Sequence, residues 1–112
     1  MPSLPTGQGL DLRFAPINAS DLGTNPIVAP IEGKRLWIVS FFLIAESAVT
    51  ALWEDSDGTD LSGGLPFLTS GGMVCPGQAS SPWTATEPGK GLNLNLGAAA
   101  TVGGMLTYLV SN

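Results

Sequence analysis

The densest group of side chains that could do chemistry is the acidic run from Glu54 to Asp60, where Asp55, Asp57 and Asp60 could offer oxygen ligands to calcium. The spacing does not follow the EF-hand loop, which sets a fixed Gly and a closing bidentate Glu among its ligands. Because Asp57-Gly58 is typical of tight hairpin turns, we interpret the run as a solvated turn between two strands. No metal or other cofactor is expected.

Other groups that could support catalysis are few. The chain has no His, which excludes Ser-His and Cys-His mechanisms. The single cysteine, Cys75, has no basic neighbour to activate it, so we expect a buried small apolar residue in a protein from a reducing compartment. Paired carboxylates of a glycosidase remain conceivable, whereas the Gly89-Lys90-Gly91 turn lacks the Ser or Thr and the helix of a phosphate loop. The sequence therefore predicts no enzymatic activity.

Composition limits the fold and the partners. The 112 residues suit one domain, and 15 Gly, 9 Pro and 44% hydrophobic residues favour an all-β fold. With four cations and a net charge of −5, the chain lacks the basic stripe that nucleic acid requires. The apolar run 36–45 is too short to span a membrane as a helix, so no membrane contact is expected.

Residues 1–26 differ from the rest, because four prolines interrupt them and no sustained period is visible. We predict an extended N-terminal arm over 1–26 and a β-sandwich domain over 27–112. A disordered tail is the alternative. The alternation of residues 10–14 favours addition to another chain's sheet edge. The apolar residues that would make this contact are Leu10, Leu12, Phe14 and Ile17.

The strongest strand signal is Arg35 to Glu46, which is apolar on both of its faces. One face holds Leu36, Ile38, Phe42 and Ile44, and the other holds Trp37, Val39, Phe41 and Leu43. Since a strand with one wet face would alternate, both faces should be covered. We predict that the second face, Trp37, Val39, Phe41 and Leu43, is a subunit interface.

Further strands are predicted between turn signals along the rest of the chain. The clearest is Leu92 to Leu96, where leucines and asparagines alternate strictly. About seven to eight short strands indicate an antiparallel β-sandwich or jelly roll. The other predicted strands are 27–31, 48–53, 61–69, 73–75, 83–86 and 102–110.

The aromatic residues leave three interpretations open. Trp37, Trp53, Trp83 and Tyr108 could pack in the core, anchor a subunit contact or stack on a sugar ring. Trp83, at the start of the predicted strand 83–86 and next to the predicted loop 77–82, is the candidate for a ligand-binding residue.

Several stretches resemble small phage structural proteins of the capsid decoration, or cement, type. Residues 25–36 (NPIVAPIEGKRL) and 48–53 (AVTALW) are similar to the family's "VA-x-x-x-GK-x-I" entry and "AVTV-x-F" strand. Residues 88–96 (PGKGLNLNL) and 102–108 (VGGMLTY) are similar to its "G-x-ALNL-x-L" and "VGG-x-LTY" ending. Where the family commonly has an aromatic residue with "ET", this chain has WTATE at 83–87.

This resemblance, over about residues 25–110, implies a virion protein with a jelly-roll fold that binds the major capsid protein. The arm lies outside the resemblance, and we predict that it contacts neighbouring capsid subunits. Such a protein would sit as a trimer on the outer surface of the head and stabilise the lattice, after assembly in the host cytoplasm. A carbohydrate-binding or other structural module of a phage tail or fibre is the alternative.

Overall fold

The structure is a computed structural model, and it describes residues 11–112. In this part of the chain all regular structure is β, in two antiparallel sheets. The strands are β1 (Asp11–Ala19), β2 (Gly23–Val28), β3 (Arg35–Ala45), β4 (Val49–Asp55), β5 (Leu65–Phe67), β6 (Gly72–Cys75), β7 (Thr84–Ala85), β8 (Leu92–Leu96) and β9 (Val102–Ser111). The predicted all-β sandwich is confirmed. Between residues 11 and 112 there is no helix long and apolar enough to cross a membrane.

The strand order follows a nested pairing. One sheet runs β1-β9-β3-β6, with the short β7 also paired to β3, and the other runs β2-β8-β4-β5. Apart from β7, the first strand pairs with the last, the second with the next to last, and so on inward to the β4-β5 hairpin. A long antiparallel ribbon folded over in this way is a jelly roll.

The core lies between the sheets and contains the inward residues of both. Leu92, Leu94 and Leu96 are completely buried, as their alternation with asparagine predicts. Trp53 from β4 and Phe41 from β3 meet edge to face, with ring centroids 5.4 Å apart. Burial of these apolar side chains provides the main driving force for folding.

The structure corrects the division of the chain at residue 26. Residues 11–19 form β1, which pairs along its whole length with β9 of the same chain, and Ala15, Ile17 and Ala19 are buried in the core. β2 likewise begins within the predicted arm and pairs with β8. Pro16 concealed this strand, since a proline is tolerated where an edge strand's backbone faces solvent. The sandwich therefore extends back at least to Asp11.

A β-bulge in β3 changes which of its residues face the core. The pairing with β9 shifts between Ile38 and Ser40, so that Val39 is an extra residue. A shift of one residue turns every later side chain of the strand to the other face. Before the bulge, Leu36 and Ile38 point into the core. After it, Phe41, Leu43 and Ala45 do so. The two predicted faces of β3 are thus each divided between the inside and the outside of the sandwich.

The acidic run forms the turn between β4 and β5, which pair as a hairpin. Asp55 is buried, and its Oδ1 accepts hydrogen bonds from the backbone amides of Asp57 at 2.9 Å and Thr59 at 3.0 Å. Asp57 Oδ2 lies 2.8 Å from Lys90 Nζ. These contacts hold the turn together, and the described residues contain no group of three or more His, Cys, Asp or Glu arranged to hold a metal ion.

Gly104 is required by a close approach of two strands. A Cβ atom at this position of β9 would lie 1.9 Å from the carbonyl oxygen of Phe42 in β3. No side chain can occupy that space unless the backbone moves. Of the two adjacent glycines, Gly103 and Gly104, the second is therefore the one that lets the strands approach closely.

Candidate interaction surface

The outer side of the β1-β9-β3-β6 sheet carries a continuous patch of apolar side chains. Cross-strand neighbours place Pro16, Met105, Phe42 and Val74 in one row across the four strands. Phe14 lies in the next row with Thr107 and Ser40, and Ile44 lies on the other side of the first row. We call this patch the outer apolar face; its members are Phe14, Pro16, Phe42, Ile44, Val74 and Met105.

These side chains are exposed in the isolated chain. Val74 is 76% exposed, Phe14 67%, Ile44 56% and Phe42 44%. With residue areas of roughly 150–250 Å² for aromatic residues, and somewhat less for the aliphatic ones, the face exposes on the order of 500 Å² of apolar surface. This is near the upper end for the largest patch on a soluble monomer, about 300–600 Å², and such patches commonly mark interaction sites.

The outer apolar face carries no charged side chain, although the chain has a net charge of −5. The outer side of the other sheet is different, because Glu54 lies there with polar neighbours. Its Oε1 accepts hydrogen bonds from Thr24 Oγ1 at 2.9 Å and from Asn95 Nδ2 at 3.3 Å. Glu54 on the outer side of the second sheet therefore has hydrogen-bonding neighbours, whereas the six residues of the outer apolar face are uncharged. On the outer side of the first sheet the charged strand residue is Arg35, at the start of β3.

Prolines stand at the sheet edges. β1, β2 and β5 are edge strands, and they contain Pro16, Pro26 and Pro66. The fourth edge is shared by β6, which is four residues long and followed directly by Pro76, and β7, which is two residues long. Since proline has no backbone N–H and short strands offer few pairing groups, these edges disfavour strand addition. The flat face, rather than an edge, is the surface available for association.

The predicted arm residues that the structure describes do not lie on one surface. Leu12 and Phe14 point to the outer side of the sheet, with Phe14 in the outer apolar face, whereas Ile17 is 1% exposed and belongs to the core. Leu10 lies outside the described residues. The alternation over residues 10–14 does mark a strand, but from Asp11 onward its partner is β9 of the same chain.

The predicted interface residues are also separated. Trp37 is on the outer side of β3, half-buried beside Leu109, and its Nε1 donates a hydrogen bond to Ser111 Oγ at 2.8 Å. Phe41 and Leu43 belong to the core, which makes their prediction as interface residues wrong. Val39 is buried at the bulge.

Sequence reasoning missed the true members of the face on β3, β6 and β9. Strict alternation along β3 predicts that Phe42 and Ile44 share the side of Leu36 and Ile38, whereas the bulge turns them to the outer side. Ser40 is the only polar residue between Trp37 and Ala45, and it lies on the outer side with Phe42 and Ile44. The change of parity after Ile38 is visible only in the pairing with β9.

The loop 76–83 covers the bulge and fixes Trp83. The Trp83 backbone amide donates to Ile38 O at 2.8 Å, and its Nε1 donates to Pro76 O at 3.1 Å. A Cβ atom on Gly77 would lie 1.9 Å from Val39 O, so the loop approaches the bulge closely. The Trp83 ring remains 62% exposed beside a depression of about 420 Å³ lined by Gln78, Ser81 and Pro82.

The other candidate residues, Cys75, Trp53 and Tyr108, take part in the packing of the core. Cys75 is half-buried, and burial raises the pKa of its thiol, the opposite of what a nucleophile needs. Trp53 and Tyr108 are buried in the core.

Comparisons of the chain with protein-family models, curated proteins and solved structures find no match. The arrangement of its own residues therefore carries the functional argument.

Proposed function

We propose that the chain is a phage virion structural protein of the capsid decoration type. In this proposal it self-associates through the outer apolar face, as a trimer, and binds the major capsid protein on the outside of the head. The observation that carries the proposal is the uncharged, exposed apolar face on a chain with a net charge of −5. The sequence resemblance supplies the type of assembly.

The energetics of the face support association. At about 25 cal/mol per Å², burying on the order of 500 Å² per copy would contribute on the order of 12 kcal/mol. Association costs an estimated 4–15 kcal/mol, so a single such contact gives modest affinity. A closed ring buries the face of every copy, and several copies that hold one shell together gain by avidity.

The charge distribution supports an outer location. Copies with a net charge of −5 repel one another, and contact through the uncharged outer apolar face lessens this repulsion because it brings no like charges together. A negatively charged protein is also better placed in solvent than against packaged DNA. A protein that binds only the assembled shell stabilises it by mass action.

The test of the proposal has two readouts. Sedimentation velocity measures whether the full chain self-associates. Cosedimentation measures whether it binds capsid shells that lack it, purified from the phage that carries its gene. We expect oligomers and saturable shell binding that raises the melting temperature of the shell. A chain that remains monomeric and does not bind the shells contradicts the proposal.

The contribution of the N-terminal segment to shell binding has to be tested with a deletion shorter than the predicted arm, residues 1–26. Removing residues 1–24 would delete β1 and with it Ile17 from the core. Deletion of residues 2–10 leaves every described strand in place. If the segment contacts the shell, this variant self-associates normally but loses shell binding. If this variant binds the shell as fully as the wild type does, the contact with the shell is made by the folded domain.

A second candidate function rests on the Trp83 loop. The exposed indole ring of Trp83 is held by one hydrogen bond from its Nε1 and a second from the backbone amide of the residue. Next to polar Gln78 and Ser81, it is a surface on which a sugar ring could stack. A carbohydrate-binding module of a phage tail or fibre would use this loop. Glycan binding on an array, lost in Trp83→Ala and retained in Phe42→Thr, would favour this function over the first.

A further inference from the structure

The outer apolar face contains a hollow of about 200 Å³, formed by residues of β9, β3 and the end of β6. Ser40 and Thr107 line it and lie opposite each other on β3 and β9, and their short side chains leave the space open. The longer side chains of the neighbouring row, Met105, Phe42 and Val74, stand along one side of it. None of the residues lining the hollow is charged.

Phe14 projects from the other half of the same face, on the edge strand β1. It lies opposite Thr107, which in turn lies opposite Ser40, so that two strand spacings, about 10 Å, separate the backbones of Phe14 and Ser40. The Phe14 ring is 67% exposed and does not line the hollow. The ring therefore does not fill the hollow of its own chain.

The ring and the hollow match in size and polarity. An enclosed apolar cavity of about 150 Å³ holds benzene, so a hollow of about 200 Å³ admits a phenyl ring. The charged neighbours of Phe14 in β1, Asp11 and Arg13, pair with each other at 2.9 Å and bring no net charge to the contact. Ser40 and Thr107 are cross-strand partners, so their hydroxyls can hydrogen-bond each other when the ring excludes water.

We infer that the Phe14 ring of one copy inserts into the hollow lined by Ser40 and Thr107 of a second copy. The inference rests on the proposed self-association and names the contact that produces it. The ring and the hollow are different parts of the face, so each copy offers its ring to one neighbour and its hollow to another. A heterologous contact of this kind closes into a ring of copies when the rotation between them allows, and the proposed trimer is such a ring.

Removal of the Phe14 ring is the first test. If the full residue area is about 200 Å², the ring offers about 130 Å² of apolar surface to a second copy, so Phe14→Thr should weaken association by at least about 30-fold. Leu22→Thr is the matched control, because Leu22 is also 67% exposed but lies in the turn between β1 and β2. We expect it to associate like the wild type in sedimentation equilibrium.

Filling the hollow is the second test, and it allows the two defects to be combined. Ser40→Phe places a ring of the chain's own in the hollow and should abolish self-association, whereas Ser40→Ala leaves the hollow open and should not. The Phe14→Thr variant keeps its hollow, and the Ser40→Phe variant keeps its Phe14 ring. An equimolar mixture of these two variants should therefore form one-to-one pairs at concentrations at which each alone is monomeric.

The inference is overturned if the wild type is monomeric, if Phe14→Thr associates as strongly as Leu22→Thr, or if the mixture forms no pairs. If the wild type forms oligomers that bind shells while Phe14→Thr has no effect, the proposed function stands and only this contact is wrong. If the mixture pairs but the wild type does not bind shells, the contact stands and the proposed function is wrong. Should urea unfolding show that Ser40→Phe does not fold, Thr107→Phe fills the hollow from β9, and Phe14→Thr against Leu22→Thr decides without either.

Discussion

Phe42→Thr is the substitution that most directly tests the outer apolar face. Phe42 lies at the centre of the face, between Met105 on β9 and Val74 on β6, where interface residues contribute most. It is 44% exposed, which leaves about 90 Å² for a partner to bury if the full residue area is about 200 Å². At about 25 cal/mol per Å², the change removes about 2 kcal/mol of association free energy per copy.

That loss is measurable by sedimentation equilibrium. A change of about 2 kcal/mol weakens association by at least about 30-fold, because each 1.4 kcal/mol is a factor of ten. The free energy of unfolding should fall by only about 1 kcal/mol, since Phe42 lies outside the core and loses only cross-strand contacts. Threonine is β-branched and, like phenylalanine, is a residue that strands favour, so the substitution preserves strand propensity.

Leu22→Thr is the matched control. Leu22 is 67% exposed in the turn between β1 and β2, so the substitution removes exposed apolar surface away from the face. We expect its association constant to equal that of the wild type. The reasoning is refuted if the two variants weaken association equally. It is also refuted if the wild-type chain remains monomeric up to about 1 mM, which corresponds to only about 4 kcal/mol of association free energy.

Three further predictions concern the fold. Gly104→Ala should lower the free energy of unfolding in urea by about 2–4 kcal/mol, because its Cβ would meet a carbonyl of β3, whereas Gly63→Ala, with open space around it, should change it by less than about 0.5 kcal/mol. Because burial raises the pKa of Cys75, iodoacetamide should alkylate the folded chain more slowly than the unfolded chain. Stability should fall as pH rises through the alkaline range in which the unfolded thiol ionises, unless Cys75 is replaced by Ala. Glu54→Ala should cost about 1–2 kcal/mol by removing the acceptor of Thr24, and a double-mutant cycle with Thr24→Val should show coupling.

The sequence predicts the all-β sandwich because its strands carry strong local signals. The leucines of β8 alternate without interruption, and β3 consists almost entirely of strand-forming residues. Turn residues such as Asp57-Gly58 mark the hairpin between β4 and β5. Each of these features depends on residues within a few positions of one another, so one chain is enough to identify them.

The features that the sequence does not predict depend on pairing across the sheet. Pro16 is compatible with β1 only because this strand lies at an edge, and the edge is defined by β9, more than 80 residues later. The bulge at Val39 is likewise set by its pairing with β9, and it decides that Phe42 rather than Phe41 faces outward. The fold was therefore predictable, while the composition of the interaction surface was not.

A single apolar face cannot be covered by two partners at the same time. The sequence suggested two separate surfaces, with Phe14 in an arm that contacts the capsid and Trp37 in an interface between copies. The structure places both residues on the outer side of one sheet. If copies associate through this face, Phe14 is buried between them and cannot contact the shell, so shell binding would require other residues. Residues 2–10 are the first to test, and Phe42→Thr separates the cases. It should lower shell binding only through lost avidity if the face joins copies, and should lower it even for isolated copies if the face meets the shell directly.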